Sequence, residues 1–362
     1  MTTDAQILSA LRAAGEGGVS GVELSQTLGI TRAAIWARIE ELRELGYDIE
    51  ASPHLGYRLL SAPDLLHADD LIARLHQEAD DSKTDARWGD PAPAGEPQSL
   101  ANKRLAGTLA PPGQHIIGRD IRVFQGTTST SDVVEKLARD DVREGFVVFA
   151  ESQTKGRGRL GRKWISPARK GLWFSVLLRP DLRPQEITQL TVASATALVR
   201  AIQAQTGIKL EIKWPNDILI RGRKTAGILT ELSAELDHTK YVILGIGVDV
   251  NQTAKDFPTE LRRLATSIRI ETGQIVDRAE LATQILRELD RDYRRVCAGD
   301  FESVANEWEQ HCTTLGCDVV IQIGERKVHG RAESLDPDGA LLLRTQHGHL
   351  ERIIGGDVTV EK

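Results

Sequence analysis

The chain has 362 residues, a length that suits two or three domains rather than one. Hydrophobic residues make up 40% and charged residues 27%, the balance of a soluble globular protein, and no apolar run approaches the ~20 residues of a membrane-spanning helix. The net charge of −6 weighs against nucleic acid as a general partner, although one local basic patch would suffice. The N-terminus carries no basic segment followed by an apolar stretch, so no secretory leader and a cytoplasmic setting are expected. Cys297, Cys312 and Cys317 make neither a disulfide framework nor a zinc pattern, and reduced thiols are expected.

The chain opens on three short helical patterns. Thr3-x-x-Gln6 and Ser20-x-x-Glu23 both fit a capping box. Ile7, Leu8 and Leu11 give the first helix its apolar stripe. Val22, Leu24 and Leu28 do so for the second, which should stop at Gly29. Thr31 is a plausible N-cap for a third helix with Ile35, Ile39 and Leu42 on one face. Two strand-like runs, Tyr47–Ala51 and Gly56–Leu60, follow around Ser52-Pro53-His54. Three helices and a hairpin are the order of a winged helix-turn-helix. A helical segment is expected over Leu65–His76. Residues 77–114 hold five of the thirteen prolines (Pro91, Pro93, Pro97, Pro111 and Pro112) and few β-branched residues, so they read as a flexible linker or insertion.

From about residue 119 the pattern mixes α and β. Strands are expected at Ile121–Gln125, Phe146–Glu151, Leu172–Arg179, Leu210–Trp214, Asp217–Ile220, Thr225–Leu232 and Tyr241–Val250. Helices are expected at Ser131–Arg139, Glu186–Gln205, Arg278–Ala298 and Phe301–His311. Runs of strands broken by long helices indicate an α+β fold. The segment Leu315–Val360 alternates in short runs, with turns at Pro337-Asp338-Gly339 and His347-Gly348-His349, as in a small all-β barrel.

Five motifs could carry chemistry. Residues 155–164 read KGRGRLGRKW: five cationic side chains and three glycines, suited to a phosphate or carboxylate, or equally to a solvated basic loop or a nucleic-acid arm. It is not a Walker loop, since no Gly-Lys-Ser/Thr ends it. Lys213-Trp214-Pro215-Asn216-Asp217 would hold one cation on a rigid turn, or is an ordinary hairpin. Lys224–Glu231 (KTAGILTE) reads most simply as a packed strand. Gly245–Asn251 (GIGVDVN) imitates a dinucleotide fingerprint but lacks its third glycine and its helix. Thr127–Asp132 (TTSTSD) is a helix cap whose hydroxyls can also bind.

Taken in this order, the motifs resemble the biotin–protein ligase family. With the N-terminal helices, the resemblance is to its bifunctional form, which also represses the biotin operon. It covers about residues 4–76 and 119–360 and leaves out the proline-rich stretch. It implies a winged helix-turn-helix over 1–62, a connecting helix and linker over 63–118, a mixed α/β catalytic domain of class II synthetase type over 119–312, and an SH3-like domain over 313–362. It also implies that biotin and ATP, with Mg²⁺, form biotinyl-5′-AMP and pyrophosphate, and that biotin then passes to a lysine of a carboxylase carrier domain. No membrane partner is expected.

Carried over residue by residue, the resemblance puts Ser129, Thr130, Ser131, Gln153, Arg157, Gly158, Arg159 and Lys213 against biotin. It puts Arg159, Arg162, Trp164, Asn216 and Asp217 against ATP, and makes Lys213, Arg157 and Arg159 catalytic. A hydroxyl-and-amide set suits the neutral ureido ring, with its donors and acceptors. A fixed cation suits two anions that must approach. Residues 155–163 are expected to be mobile when empty and ordered over ligand, because the mixed anhydride must be kept from water. The family usually has Asn where Ser131 stands, and Gly-Ile-Asn where Gly247-Val248-Asp249 stands, so the carry-over stops short of Asp249 and Asn251.

In a winged helix the third helix enters the major groove. Its expected contacts are Thr31, Arg32, Ala33, Trp36 and Ala37, with Arg58 on the wing. Residues 1–60 carry five arginines, no lysine and eight acids, a net −3. Operator binding is therefore expected to be weak to moderate and to depend on a homodimer, formed at least with ligand bound; a domain kept only for packing is the other reading. The competing functions are a lipoate–protein ligase and a ligand-sensing repressor without catalysis. The operator, the target carboxylase and the purpose of 77–114 are not legible.

Overall fold

The computed structural model describes residues 1–81, 115–140 and 142–360. Most of the expected proline-rich linker lies outside the described residues. Two compact units form: Met1–Pro63 with Ile72–Ile116, and Asp64–Leu71 with Ile117–Lys362.

The first unit carries α1 (Thr3–Ala14), α2 (Gly21–Leu28), α3 (Arg32–Glu44) and an antiparallel hairpin of β1 (Asp48–Ser52) and β2 (Gly56–Ser61). Each helix begins at a hydroxyl: Thr2, Ser20 and Thr31 accept from the amides of Ala5, Glu23 and Ala34. The first cap is thus Thr2, not Thr3; Thr2 has the extended backbone of a cap, and Thr3 joins the first turn. Ile7, Leu8, Leu11, Leu24, Ile35, Ile39 and Leu42 form the core. Val22 is not in it. Two residues from Leu24 on a helix is more than half a turn, and Val22 is 45% exposed. Gly56 allows the hairpin to reach Val19, since a Cβ there would lie 2.2 Å from the Val19 carbonyl oxygen. The winged helix-turn-helix order is borne out. Helix α4 (Ala68–Asp81) starts three residues after the expected Leu65, with the Leu71 amide on the His67 carbonyl, and runs five residues past the expected His76; the Leu66 amide ahead of it donates to the Glu151 carboxylate.

The second unit is built on a seven-stranded sheet of β3 (Asp120–Phe124), β4 (Phe146–Ala150), β5 (Gly171–Leu178), β6 (Glu211–Lys213), β7 (Asp217–Ile220), β8 (Arg223–Glu235) and β9 (His238–Asp249). Their order is β3-β4-β5-β9-β8-β7-β6. Only β3 and β4 run parallel; the other pairs are antiparallel. The helices are α5 (Thr130–Arg139), α6 (Thr188–Thr206), α7 (Ile268–Thr272), α8 (Arg278–Cys297) and α9 (Phe301–His311). Strand β5 is buried along its whole length, as its apolar run, interrupted by Ser175 alone, requires. All seven expected strands are present within three residues at each end.

The C-terminal run is a five-stranded antiparallel sheet of β10 (Asp318–Ile323), β11 (Arg326–Leu335), β12 (Leu341–Thr345), β13 (Leu350–Ile353) and β14 (Asp357–Val360), in the order β13-β12-β11-β10-β14. Both expected turns occur, the first closed by the Asp336 carboxylate on the amides of Asp338 and Ala340.

One buried ion pair stitches this unit together. Arg278, at the start of α8, donates to both carboxylate oxygens of Glu151, at 2.6 and 3.3 Å, and to Asp64 at 2.8 Å. Side-chain exposure is 0% for Arg278 and 1% for Glu151, so each charge depends on the other.

Candidate ligand-binding site

Helix α5 begins with Ser129 as its N-cap and Thr130 and Ser131 in its first turn, all three buried. The Thr130 amide and hydroxyl both donate to the Gln153 carbonyl oxygen, at 2.8 and 3.2 Å. The Ser175 hydroxyl on β5 lies 2.7 Å from that of Thr130 and 3.1 Å from that of Ser131. The Gln153 amide donates to Ser166 at 3.0 Å. This hydroxyl-and-amide network walls one end of a cavity of about 610 Å³, a size that suits a ligand larger than a vitamin alone.

The cavity runs along β9. Alternation turns Gly245, Gly247 and Asp249 to one face, and all three line it. Gly245 sits under Ser131, where a Cβ would come 3.0 Å from the hydroxyl. Gly247 sits under Trp164, where a Cβ would come 2.5 Å from the indole. From Gly245 to Asp249 is about 13 Å at the usual strand rise. The far end is closed by Trp164, Asp249 and the apolar Phe257, Leu261, Leu264 and Ala265.

Cations are spread along the cavity, from Arg157 beside Asp132 of α5 to Lys224 beside Trp164. Arg157, Arg159, Arg162, Lys163, Lys213 and Lys224 all line the cavity. Each loop arginine already has partners. Arg157 pairs with Asp132 and, at 3.2 Å, with Glu231; the hydrogen bond to Asp132 raises its pKa. Arg159 donates to the Asn216 side-chain oxygen at 3.2 Å and to the Gly356 carbonyl at 3.5 Å; burial lowers its pKa. Arg162 pairs with Asp357. The Lys213–Asp217 turn closes β6 on β7 through a cis Trp214-Pro215 bond. There Asn216 donates to the Ile228 carbonyl at 2.7 Å while receiving Arg159.

Every residue expected against biotin or ATP therefore lines one cavity: Ser129, Thr130, Ser131, Gln153, Arg157, Gly158, Arg159, Arg162, Trp164, Lys213, Asn216 and Asp217. Two residues were missed. Lys224 opens β8 and its ammonium pairs with Asp217, 5.3 Å from the Trp164 ring centroid. The packed-strand reading of that run is right for the backbone, but Lys224 itself faces the cavity. The β7–β8 hairpin was the available signal, since it folds Lys224 back toward Asp217. Asp249 was set aside, yet it lines the cavity and is 5% exposed; burial pushes its pKa well above the ordinary aspartate value, against the pull of Lys224. The signal was the two-residue spacing of Gly245, Gly247 and Asp249. Asn251 is structural: it exchanges hydrogen bonds with the Val276 backbone.

Comparison with known proteins decides what this arrangement belongs to. Residues 123–249 match the model of the biotin/lipoate A/B protein ligase family, residues 4–58 that of an HTH domain, and residues 314–360 that of the biotin protein ligase C-terminal domain. The bifunctional ligase/repressor BirA of Bacillus subtilis is 37% identical over 345 residues, spanning 95% of this chain and 94% of that one. The chain belongs to the biotin protein ligase family. Among its relatives, BirA of Escherichia coli is 27% identical over 94% of this chain and 92% of its own. The biotin protein ligase of Aquifex aeolicus, solved in complex with biotin and ATP, is 31% identical with a TM-score of 0.58, covering 67% of this chain and 99% of that one.

In the N-terminal unit of this family member, Thr31, Arg32, Ala33, Trp36 and Ala37 are all exposed at the start of α3, Trp36 by 57%. Arg58 is half-buried and paired with Glu50 at 2.7 Å. Arg38 is paired with Glu41 and Asp4, and Arg43 with Glu40. Arg38, Arg43 and Arg58 thus each carry an acidic partner.

Proposed function

We propose that this chain is a bifunctional biotin–protein ligase and repressor. It joins the biotin carboxylate to the α-phosphorus of ATP, then passes the biotinyl group to a lysine of a carboxylase carrier domain. The observation that carries this is one cavity that joins a buried hydroxyl-and-amide network, six cationic side chains and the indole of Trp164. Those three sets suit a ureido ring, a carboxylate with phosphates, and adenine.

In the first step a carboxylate oxygen bonds to the α-phosphorus and the bond to pyrophosphate breaks. Both reactants are anions, so the barrier is largely electrostatic. Lys213, Lys224, Arg157 and Arg159 offset it and need no protein nucleophile. Ser129, Thr130, Ser131 and Gln153 hold biotin, with Gly158 letting the loop lie close. Arg159, Arg162, Trp164, Asn216 and Asp217 hold the nucleotide. Among the described residues no group of three His, Cys, Asp or Glu stands together. Mg²⁺ would enter with ATP and would supply charge neutralisation on the triphosphate. In the second step the acceptor amine bonds to the acyl carbon, AMP leaves, and the proton goes to solvent. The loop arginines first exchange Asp132, Glu231 and Asp357 for phosphate, closing 155–163 over the anhydride.

A lipoate ligase fits less well. An apolar dithiolane would leave the Thr130–Ser131–Ser175–Gln153 network facing a group that cannot bond it. The N-terminal unit, over about 1–62, binds operator DNA as a homodimer formed with ligand; 119–312 is the catalytic domain and 313–362 completes it. The setting is the cytoplasm, where carrier domains and ATP are found. The test is incubation with ATP, labelled biotin and a carrier domain, with lipoate as competitor. Label transferred to the carrier, and unaffected by lipoate, is expected. Biotin-dependent pyrophosphate exchange with no transfer at all would sink the ligase reading.

A further inference from the structure

Lys213 leaves a strand that is short and lies at the rim of the sheet. Strand β6 has three residues and one neighbour in the sheet, β7, so its other edge turns backbone groups outward. That edge is met by the segment between α9 and β10. Cys312 bridges Ile212 in parallel register, and the Thr313 amide donates to the Ile212 carbonyl at 2.9 Å. The Trp214 amide donates to the Thr314 hydroxyl oxygen at 3.1 Å. These two groups are the carbonyl before Lys213 and the amide after it. Both peptide planes that flank its Cα are therefore held from outside the sheet.

We propose that Thr314 is a positioning residue for the first step. By accepting the Trp214 amide it fixes the peptide plane from which Lys213 departs, and so aims the ammonium at the approaching carboxylate and α-phosphate. This rests on the reading of Lys213 as a group that offsets the repulsion between those anions.

The two anchors differ in kind. The one at Ile212 comes from a backbone amide, which any residue but proline would supply at 313. The one at Trp214 depends on a side chain, and Thr314 is 0% exposed and outside the cavity lining. The Trp214 indole N–H has no partner among the described residues, so that ring, 1% exposed, is held by packing. The far end of the turn has its own hold, since Asn216 and Ile228 exchange hydrogen bonds in both directions. Without the Thr314 hydroxyl the Trp214 amide would be a buried donor with no acceptor, and β6 would satisfy it only by moving. A lysine reaches through four flexible carbons, so a tilt of its peptide plane grows along the stem before it reaches the ammonium. Stabilisation of developing charge depends on that final placement, whereas biotin and ATP in the ground state are held by other groups.

The experiment measures kcat and KM for biotin-dependent pyrophosphate exchange, and biotin binding without nucleotide, on the full chain. The variants are Thr314→Val, Thr314→Ala and Thr314→Ser, each also in a Lys213→Ala background. In Thr314→Val and Thr314→Ala, kcat should fall by about tenfold or more, with KM for biotin and for ATP changed by less than about threefold. Thr314→Ser keeps an acceptor oxygen and should restore kcat to within about threefold of the wild type. Once Lys213 is gone there is no ammonium to aim, so Thr314→Val should cost less than about twofold more in that background. Wild-type kcat in Thr314→Val and Thr314→Ala, or the same loss persisting without Lys213, overturns the assignment. Loss of biotin binding in both variants would make Thr314 a residue of the fold and overturn it equally. A wild-type chain with no exchange, or a fully active Lys213→Ala, would instead remove the reading of Lys213 on which it rests.

Discussion

The indole of Trp164 rests on the bare Cα of Gly247, so closely that a methyl group there would come 2.5 Å from Cε2 and 2.6 Å from Nε1. No real Cβ tolerates such contacts, and the ring would have to move. Gly247→Ala should therefore displace the aromatic wall of the nucleotide end while leaving the Ser131–Ser175 end in place. The KM for ATP is expected to rise about tenfold or more, with biotin affinity changed by less than about threefold. Calorimetry with each ligand separately checks this; an equal loss for both would contradict the two-ended cavity.

Two lysines of the sheet line the cavity. Lys213 ends β6 and Lys224 opens β8, and Asp217 between them holds the Lys224 ammonium. Replacing either lysine by Ala removes a cation aimed at the approaching anions. Each variant should lose about 10²- to 10³-fold in kcat for pyrophosphate exchange, roughly 3–4 kcal/mol of transition-state stabilisation. An unchanged melting curve would exclude unfolding as the cause. Full activity in Lys213→Ala would move the main catalytic role to Lys224.

The arginine loop is latched by protein groups before any ligand binds, through Asp132, Glu231, Asn216 and Asp357. Arg157 and Arg162 remain 37% and 65% exposed in their side chains, so trypsin can reach them. Cleavage after these residues should slow in the presence of biotin and ATP, when the guanidinium groups turn to phosphate. Identical digestion rates with and without ligands would show that the loop does not close.

Arg278 offers a test of the fold rather than the chemistry. Arg278→Ala leaves Glu151 buried, with the Leu66 amide as its remaining donor. The loss should be about 3–5 kcal/mol of stability, read as a lower urea midpoint with little change in slope. Replacing Arg278 and Glu151 together by apolar residues of similar volume should restore part of it.

Operator binding should be shallow in its salt dependence. Arg38, Arg43 and Arg58 are each paired with an acid of their own unit. About two phosphate contacts from each of two copies would give a slope of log K against log salt of about −4 at most. Mobility shifts over a salt series, with and without biotin and ATP, measure it. A slope near −8 would mean that these pairs open on DNA, and no shift at low salt would leave the unit without a DNA role.

Much of this molecule was legible in its amino acids because the signals are short-range. Hydroxyl caps at Ser20 and Thr31, the mainly apolar run of 172–178, and the glycines and cations of 155–164 act within a turn, a strand or a loop, so order along the chain is enough to read them. What order could not show is which segments meet. Lys224 passed for a strand residue and Asp249 for an uncertain substitution until the pairing β5-β9-β8-β7 set them on one cavity with Trp164. The partners of the loop arginines, Asp132, Glu231 and Asp357, lie 25, 74 and 195 positions away. Burial and charge pairing at such separations arise from packing, and packing alone decided which groups are buried, which are latched and which line the cavity.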